Sequence, residues 1–136
     1  MAALNQGPAP MMTRRTETGD GVMILYNSDY AAKAITLDAS VFADDQIAEA
    51  GFAPAGMLIA EDGTSAHVNG TPFGVLLHDV YIGRPQATVV YRGAINAQVA
   101  AEHTAMVMSA KYNPTQTEKL KSVVFIGLDS NAMTPN

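Results

Sequence analysis

The chain has 136 residues, a formal charge of −5 and 48% apolar residues, with no cysteine or tryptophan. That length suits one domain with a real core, and the low charged fraction of 15% argues against a disordered solvating chain. Acidity argues against a nucleic-acid partner, the absent cysteines exclude disulfides and thiolate chemistry, and no apolar run reaches the roughly 18 residues a membrane span needs. A neutral surface on so small a domain points instead to cover by another subunit or a larger protein.

Met1 to Gly21 contains Gly7, Pro8, Pro10, Gly19 and Gly21, which interrupt any periodic pattern, so an extended N-terminal arm is expected. Leu4, Met11 and Met12 are its apolar anchors. Arg14–Arg15 is the only adjacent basic pair, suited either to bidentate contacts with carboxylates on a protein surface or to solvation in a tail.

Residues 22–128 read as a single β-rich domain. Val22–Tyr26 and Ala34–Leu37 are short apolar runs expected as strands, separated by the turn residues Asn27–Ser28–Asp29. Ser40–Ala50 has thin helical periodicity through Val41, Ile47 and Ala48, and Gly51 ends it. Met57–Ala60 runs into the turn Glu61–Asp62–Gly63–Thr64, and Ala66–Val68 returns. After a second turn at Asn69–Pro72, Phe73–Ile82 is expected as one strand.

Gly83–Arg84–Pro85 makes the next turn. Ala87–Asn96 then alternates closely, which predicts a strand with one buried and one partly covered face, and with the Arg92 guanidinium in need of an acceptor. Gln98–Ala110 places Val99, His103, Met106 and Ala110 at helical intervals, although Met106–Met108 also reads as strand. Thr115–Lys121 is expected as a helix capped by Thr115 or Thr117, followed by a buried strand at Val123–Leu128 and a polar tail at 129–136.

Chemistry-bearing patterns are sparse. His67, His78 and His103 lack metal-ligand spacing, and His78–Asp79 would point to opposite faces of a strand. Asp44–Asp45 and Glu61–Asp62 do not follow the ligand spacing of a calcium loop. No nucleophile elbow, phosphate loop or dinucleotide fingerprint occurs. The expectation is therefore no catalytic residue, no cofactor and no metal: a binding protein rather than an enzyme.

In order along the chain stand AGMLIAEDGT, TPFGVLLHDVYI, ATVVYRGAINAQ and a late LKSVVFIGL. This succession resembles the head decoration, or capsid cement, proteins of tailed bacteriophages, including related head-fibre bases. The likeness covers Gly51 to Leu128, while Gln98–Asn113 and the arm carry no motif of that family. The resemblance implies a mainly β (α+β) fold with one or two short helices, in a small β-barrel or β-tulip-like domain. It implies a homotrimer made in the host cytoplasm and seated on the outside of the expanded capsid, with its arm (Leu4, Met11, Met12, Arg14, Arg15) on the major capsid protein. Asp79, Arg92, Gly93 and Asn96 match its motifs and are carried over as framework positions. A receptor- or glycan-binding module or fibre base, using Tyr81, Tyr91 or Tyr112, is the alternative expectation; an enzyme centred on His78 and Asp79 is a third.

Overall fold

In the computed structural model, which describes residues 23–109 and 111–127, an eleven-residue strand organises the domain. The elements in chain order are β1 (Ala31–Thr36), a 3-10 turn (Ala39–Ala43), α1 (Asp45–Ala50), β2 (Phe52–Ala53), β3 (Leu58–Ile59), β4 (Gly74–Leu76), β5 (Val80–Tyr81), β6 (Gln86–Asn96), α2 (Ala97–Ala105), α3 (Pro114–Glu118) and β7 (Val123–Ile126). The protein is mainly β with three short helices, one in each of the three stretches where the sequence shows helical signals.

Strand β6 has pairing partners on both sides. On one side β1 runs antiparallel to its first half, from Ala31 opposite Arg92 to Thr36 opposite Gln86, and Leu25 bridges antiparallel to Ile95 in its second half. On the other side β4 pairs antiparallel at Val89 and Val90, and β7 pairs parallel from Gly93 to Asn96. The five-stranded sheet runs β1-β6-β4-β3 with β7 beside β6, and β2 and β5 form a separate pair. The sheet does not close into a barrel.

Both faces of the sheet centre are buried. Leu58, Val75 and Val90 stand in one cross-strand row that packs with Ile95, Ala100, Tyr112 and Leu120. Ile59, Leu76 and Val89 feed the opposite core, with Val41, Phe42 and Ile47 from the 3-10 turn and α1. Strands covered on two faces lose polar alternation, which is why Gly74–Leu77 reads as a continuous apolar run. Each such fully buried aliphatic side chain contributes roughly 1.5–3 kcal/mol.

Several sequence expectations need correction. Phe73–Ile82 is two strands in two sheets: after Leu77 donates its N–H to Thr88, the chain leaves β6 and β5 pairs instead with Phe52–Ala53. Of the expected strand Val22–Tyr26, the described residues Met23–Tyr26 supply only the Leu25 bridge, with Ile24 wholly buried and Met23 and Tyr26 exposed. Ser40–Ala50 splits into the 3-10 turn and α1 because Asp38 and Asp44 each cap a new N-terminus, Asp44 accepting from both Gln46 and Ile47. Gly51 does end α1, in the left-handed conformation with φ 89°.

The Gln98–Ala110 stretch is helical over Ala97–Ala105, yet its inward face is Ala97, Ala100, His103 and Thr104 rather than Val99 and Met106. The cap of α3 is Asn113, not Thr115 or Thr117, with Pro114 occupying the first helical position where no N–H is needed. β7 is the expected last strand, though only Val123 is fully buried. The arm residues Leu4, Met11, Met12, Arg14 and Arg15 and the tail 129–136 lie outside the described residues.

Candidate functional site

Two features of the fold bring together residues that sequence reasoning singled out. The first is built where β4 ends. Val75, Leu77 and Asp79 follow one another at alternate positions, and with Leu77 already inside, Asp79 also turns inward while His78 stays exposed. The Asp79 side chain is 0% exposed.

Its Oδ1 accepts two hydrogen bonds, from the Ala55 N–H at 2.8 Å and from His103 Nε2 at 2.7 Å. Asp79 therefore ties the loop after β2 to the last turn of α2. Phe52 stacks on the His103 ring with centroids 6.4 Å apart and planes 27° from parallel, and Tyr81 tilts onto Phe52 at 5.4 Å. The other carboxylate oxygen, Oδ2, is buried and meets no donor among the described residues. A hydroxyl bonded to the imidazole, as nucleophilic catalysis would use, is not found among the described residues, nor is a group of three metal-ligating side chains. What the pair supplies is a buried hydrogen-bonded link between a loop and a helix.

Sequence reasoning named Asp79 but missed His103 as its partner. The signal was present in two pieces: a carboxylate in phase with buried positions, which requires a donor, and a histidine in phase with Ala100 on α2. Their separation of 24 residues concealed the connection.

The second feature occupies the second half of β6, where Arg92, Gly93 and Asn96 cluster. A register shift leaves Tyr91 without a β1 partner, because Ala31 faces Arg92 and Ala32 faces Val90. The bulge breaks the alternation, so Tyr91 and Arg92 both emerge. Arg92 is thus half exposed, contrary to the enclosed position expected, and in place of a hydrogen-bond acceptor it has an ion-pair partner, Asp29, at 3.7 Å on an exposed turn. Such a surface pair contributes at most about 1 kcal/mol.

Gly93 has φ 143°, and a Cβ there would stand 2.8 Å from the Tyr30 Cβ, so the bend needs glycine for both conformation and space. Asn96 caps α2 through Oδ1 and donates its own N–H to the Ile24 carbonyl at 2.6 Å. Beside these residues Tyr26, Ala94 and Val124 fall in one cross-strand row, with Tyr26 57% and Val124 58% exposed. Among the described residues β7 pairs with β6 alone, which leaves its outer edge open.

Of the tyrosines considered for ligand contact, Tyr112 is buried and donates to the Gly56 carbonyl, so it is removed from that role. Tyr81 and Tyr91 are partly exposed, Tyr91 packing on Phe73 with Lys33 above that ring. No family model matches the sequence, and neither a curated protein nor a solved structure is significantly similar to it.

Proposed function

We propose that this chain is a non-enzymatic structural virion protein, a capsid decoration or cement protein that binds the outer surface of an expanded phage capsid and bridges major capsid protein subunits. The observation that supports this reading is the apolar row Tyr26–Ala94–Val124 next to the open edge of β7, together with exposed Met23. Apolar side chains concentrated at one flank suit a protein partner more than solvent. Ile24 enters the fold at this flank, so contacts made by the preceding arm would extend the same footprint.

A protein that binds only the mature shell stabilises it by the binding free energy. Many identical sites, and assembly of the protein itself into a homotrimer, would make a modest affinity at each contact sufficient. Arg14 and Arg15 would engage carboxylates on the capsid protein, with Leu4, Met11 and Met12 as apolar anchors.

Co-sedimentation of the purified protein with expanded and unexpanded capsids, followed by heating of the bound shells, tests this. Saturable binding to expanded shells with raised heat resistance is expected, and loss of binding when Met1–Gly21 is deleted from a still-folded domain. Absence of binding to either shell overturns the proposal. In that event the Tyr91–Phe73–Lys33 surface makes a receptor- or glycan-binding module the reading to pursue, by sugar titration of the capsid-free protein.

A further inference from the structure

We propose that Asn69 is a site of spontaneous deamidation, through a cyclic imide closed by the Gly70 nitrogen, which the fold leaves open while it closes the equivalent path at Asp62–Gly63. An asparagine or aspartate followed by glycine closes a five-membered ring on its own backbone most readily, because glycine brings no side chain to crowd the attacking nitrogen. The described residues hold two such pairs, Asp62–Gly63 and Asn69–Gly70, both in the connection between β3 and β4; Asp20–Gly21 lies outside them.

At Asp62–Gly63 the groups the reaction needs are engaged. The Gly63 N–H donates to the Ala60 carbonyl at 3.0 Å, and Asp62 Oδ1 accepts from the Thr64 N–H at 3.1 Å and from its hydroxyl at 2.6 Å. The Gly63 carbonyl accepts from the Asp38 N–H at 3.0 Å, and a Cβ on Gly63 would stand 2.3 Å from the Thr36 carbonyl oxygen. Ring closure there requires undoing the turn and parting it from the end of β1.

At Asn69–Gly70 the same groups are open. Both residues are exposed, and a Cβ on Gly70, at φ 89°, would meet nothing within 4 Å. Among the described residues neither the Gly70 N–H nor the Asn69 side chain has a hydrogen-bond partner. The other described asparagines differ. Asn27, Asn96 and Asn113 each accept a backbone N–H on Oδ1, and Asn113 precedes a proline, which has no N–H to give up.

The reaction balances with water as its only co-reactant. Solvent base removes the Gly70 amide proton, and the nitrogen attacks Asn69 Cγ. The N–Cγ bond forms, the Cγ–Nδ2 bond breaks, and Nδ2 takes up a proton and leaves as ammonia. Water then opens the imide. Cleavage of the N–Cγ bond gives aspartate; cleavage of the bond to the backbone carbonyl carbon gives isoaspartate, with the main chain running through the former side chain. Either product adds one negative charge to the formal −5.

The isoaspartyl product lengthens the loop where it is tied to α3. The buried Gln116 donates from Nε2 to the Ala66 and Gly70 carbonyls at 2.8 and 3.0 Å, and Lys119 Nζ donates to the Gly70 carbonyl at 2.9 Å. An added backbone carbon between Asn69 and Gly70 moves one acceptor away from the other, so one buried amide group no longer serves both. Deamidation thereby loosens the loop from α3.

Peptide mapping by mass spectrometry tests this on the full chain held at neutral pH, folded and in guanidinium chloride. Folding is expected to slow reaction at Asn69 by less than about fivefold and at Asp62 by more than that, because only the second must first break hydrogen bonds. Slowing of fivefold or more at Asn69, or of less than fivefold at Asp62, overturns the proposal. The isoaspartyl fraction, separated by ion exchange, is then compared in urea with Asn69→Asp, which carries the same charge on an unaltered backbone. Its unfolding constant is expected to be at least about fivefold larger, and a smaller difference overturns the coupling to α3.

Discussion

The Tyr112 hydroxyl donates a 2.7 Å hydrogen bond to the Gly56 carbonyl, joining the segment before α3 to a loop 56 residues earlier. Around it the ring packs on His67 and Phe125, with centroids 5.3 and 5.5 Å away. Tyr112→Phe keeps this packing but leaves a buried carbonyl without its donor, so a loss of about 1–3 kcal/mol is expected in urea unfolding.

The same tyrosine sets an alkaline limit. Burial pushes the Tyr112 hydroxyl well above its ordinary value of 10.0. The folded state thus holds a proton that the unfolded chain releases, and the stability this represents is complete below about pH 10 and declines as pH rises further. Wild type should lose stability between pH 10 and 11.5 more steeply than Tyr112→Phe; equal slopes would refute this.

Close packing in the sheet predicts a sharp contrast between two glycines. A Cβ on Gly74 would stand 2.3 Å from the Val90 carbonyl oxygen, whereas one on Gly83 would meet nothing within 4 Å. Gly74→Ala should cost about 3 kcal/mol or prevent folding, because backbone must move. Gly83→Ala should change thermal stability by less than about 0.5 kcal/mol, as expected for an unobstructed surface site.

Helix caps should differ in strength by geometry. Asp44 Oδ1 accepts at 2.9 and 3.2 Å from two N–H groups, while Asn96 Oδ1 accepts at 3.4 Å from Val99 alone. Asp44→Ala is expected to cost about 1 kcal/mol and Asn96→Ala about half of that. The reverse order in denaturant unfolding would show that Asn96 acts mainly through something other than its cap.

Two exposed carboxylates should titrate early. The Ser40 side chain and then its backbone N–H hold Asp38 below 3.8, and the Thr64 hydroxyl and then its backbone N–H do the same for Asp62. Their contribution to stability is present above the unfolded value and is lost as pH falls through the lower folded value, in the region below about pH 4. In Thr64→Ala the Asp62 carboxyl, followed by NMR, should move up toward 3.8; an unmoved titration would discount the hydroxyl.

Local signals in the chain carried far. The Asp62–Gly63 turn, with Gly63 at φ 91°, the stop at Gly51, the long strand at Gln86–Asn96 and the mainly β class were all legible, because each rests on neighbours a few residues apart. Caps were legible in part: Asp44 and Asn113 are good capping residues, but which of several adjacent candidates starts a helix depends on where the chain is already held.

By itself, the sequence determined that this is an acidic, cysteine-free, β-rich domain with its apolar residues in short runs, since composition and periodicity follow from burial averaged over an element. Only the tertiary structure decided that Phe73–Ile82 divides between two sheets, that a bulge at Tyr91 turns Arg92 outward, and that Asp79 meets His103. Those outcomes depend on which distant strand or helix supplies the next hydrogen bond. Alternation along one strand does not encode that partner, and the two residues of a buried pair acquire their meaning when the fold brings them within 2.7 Å.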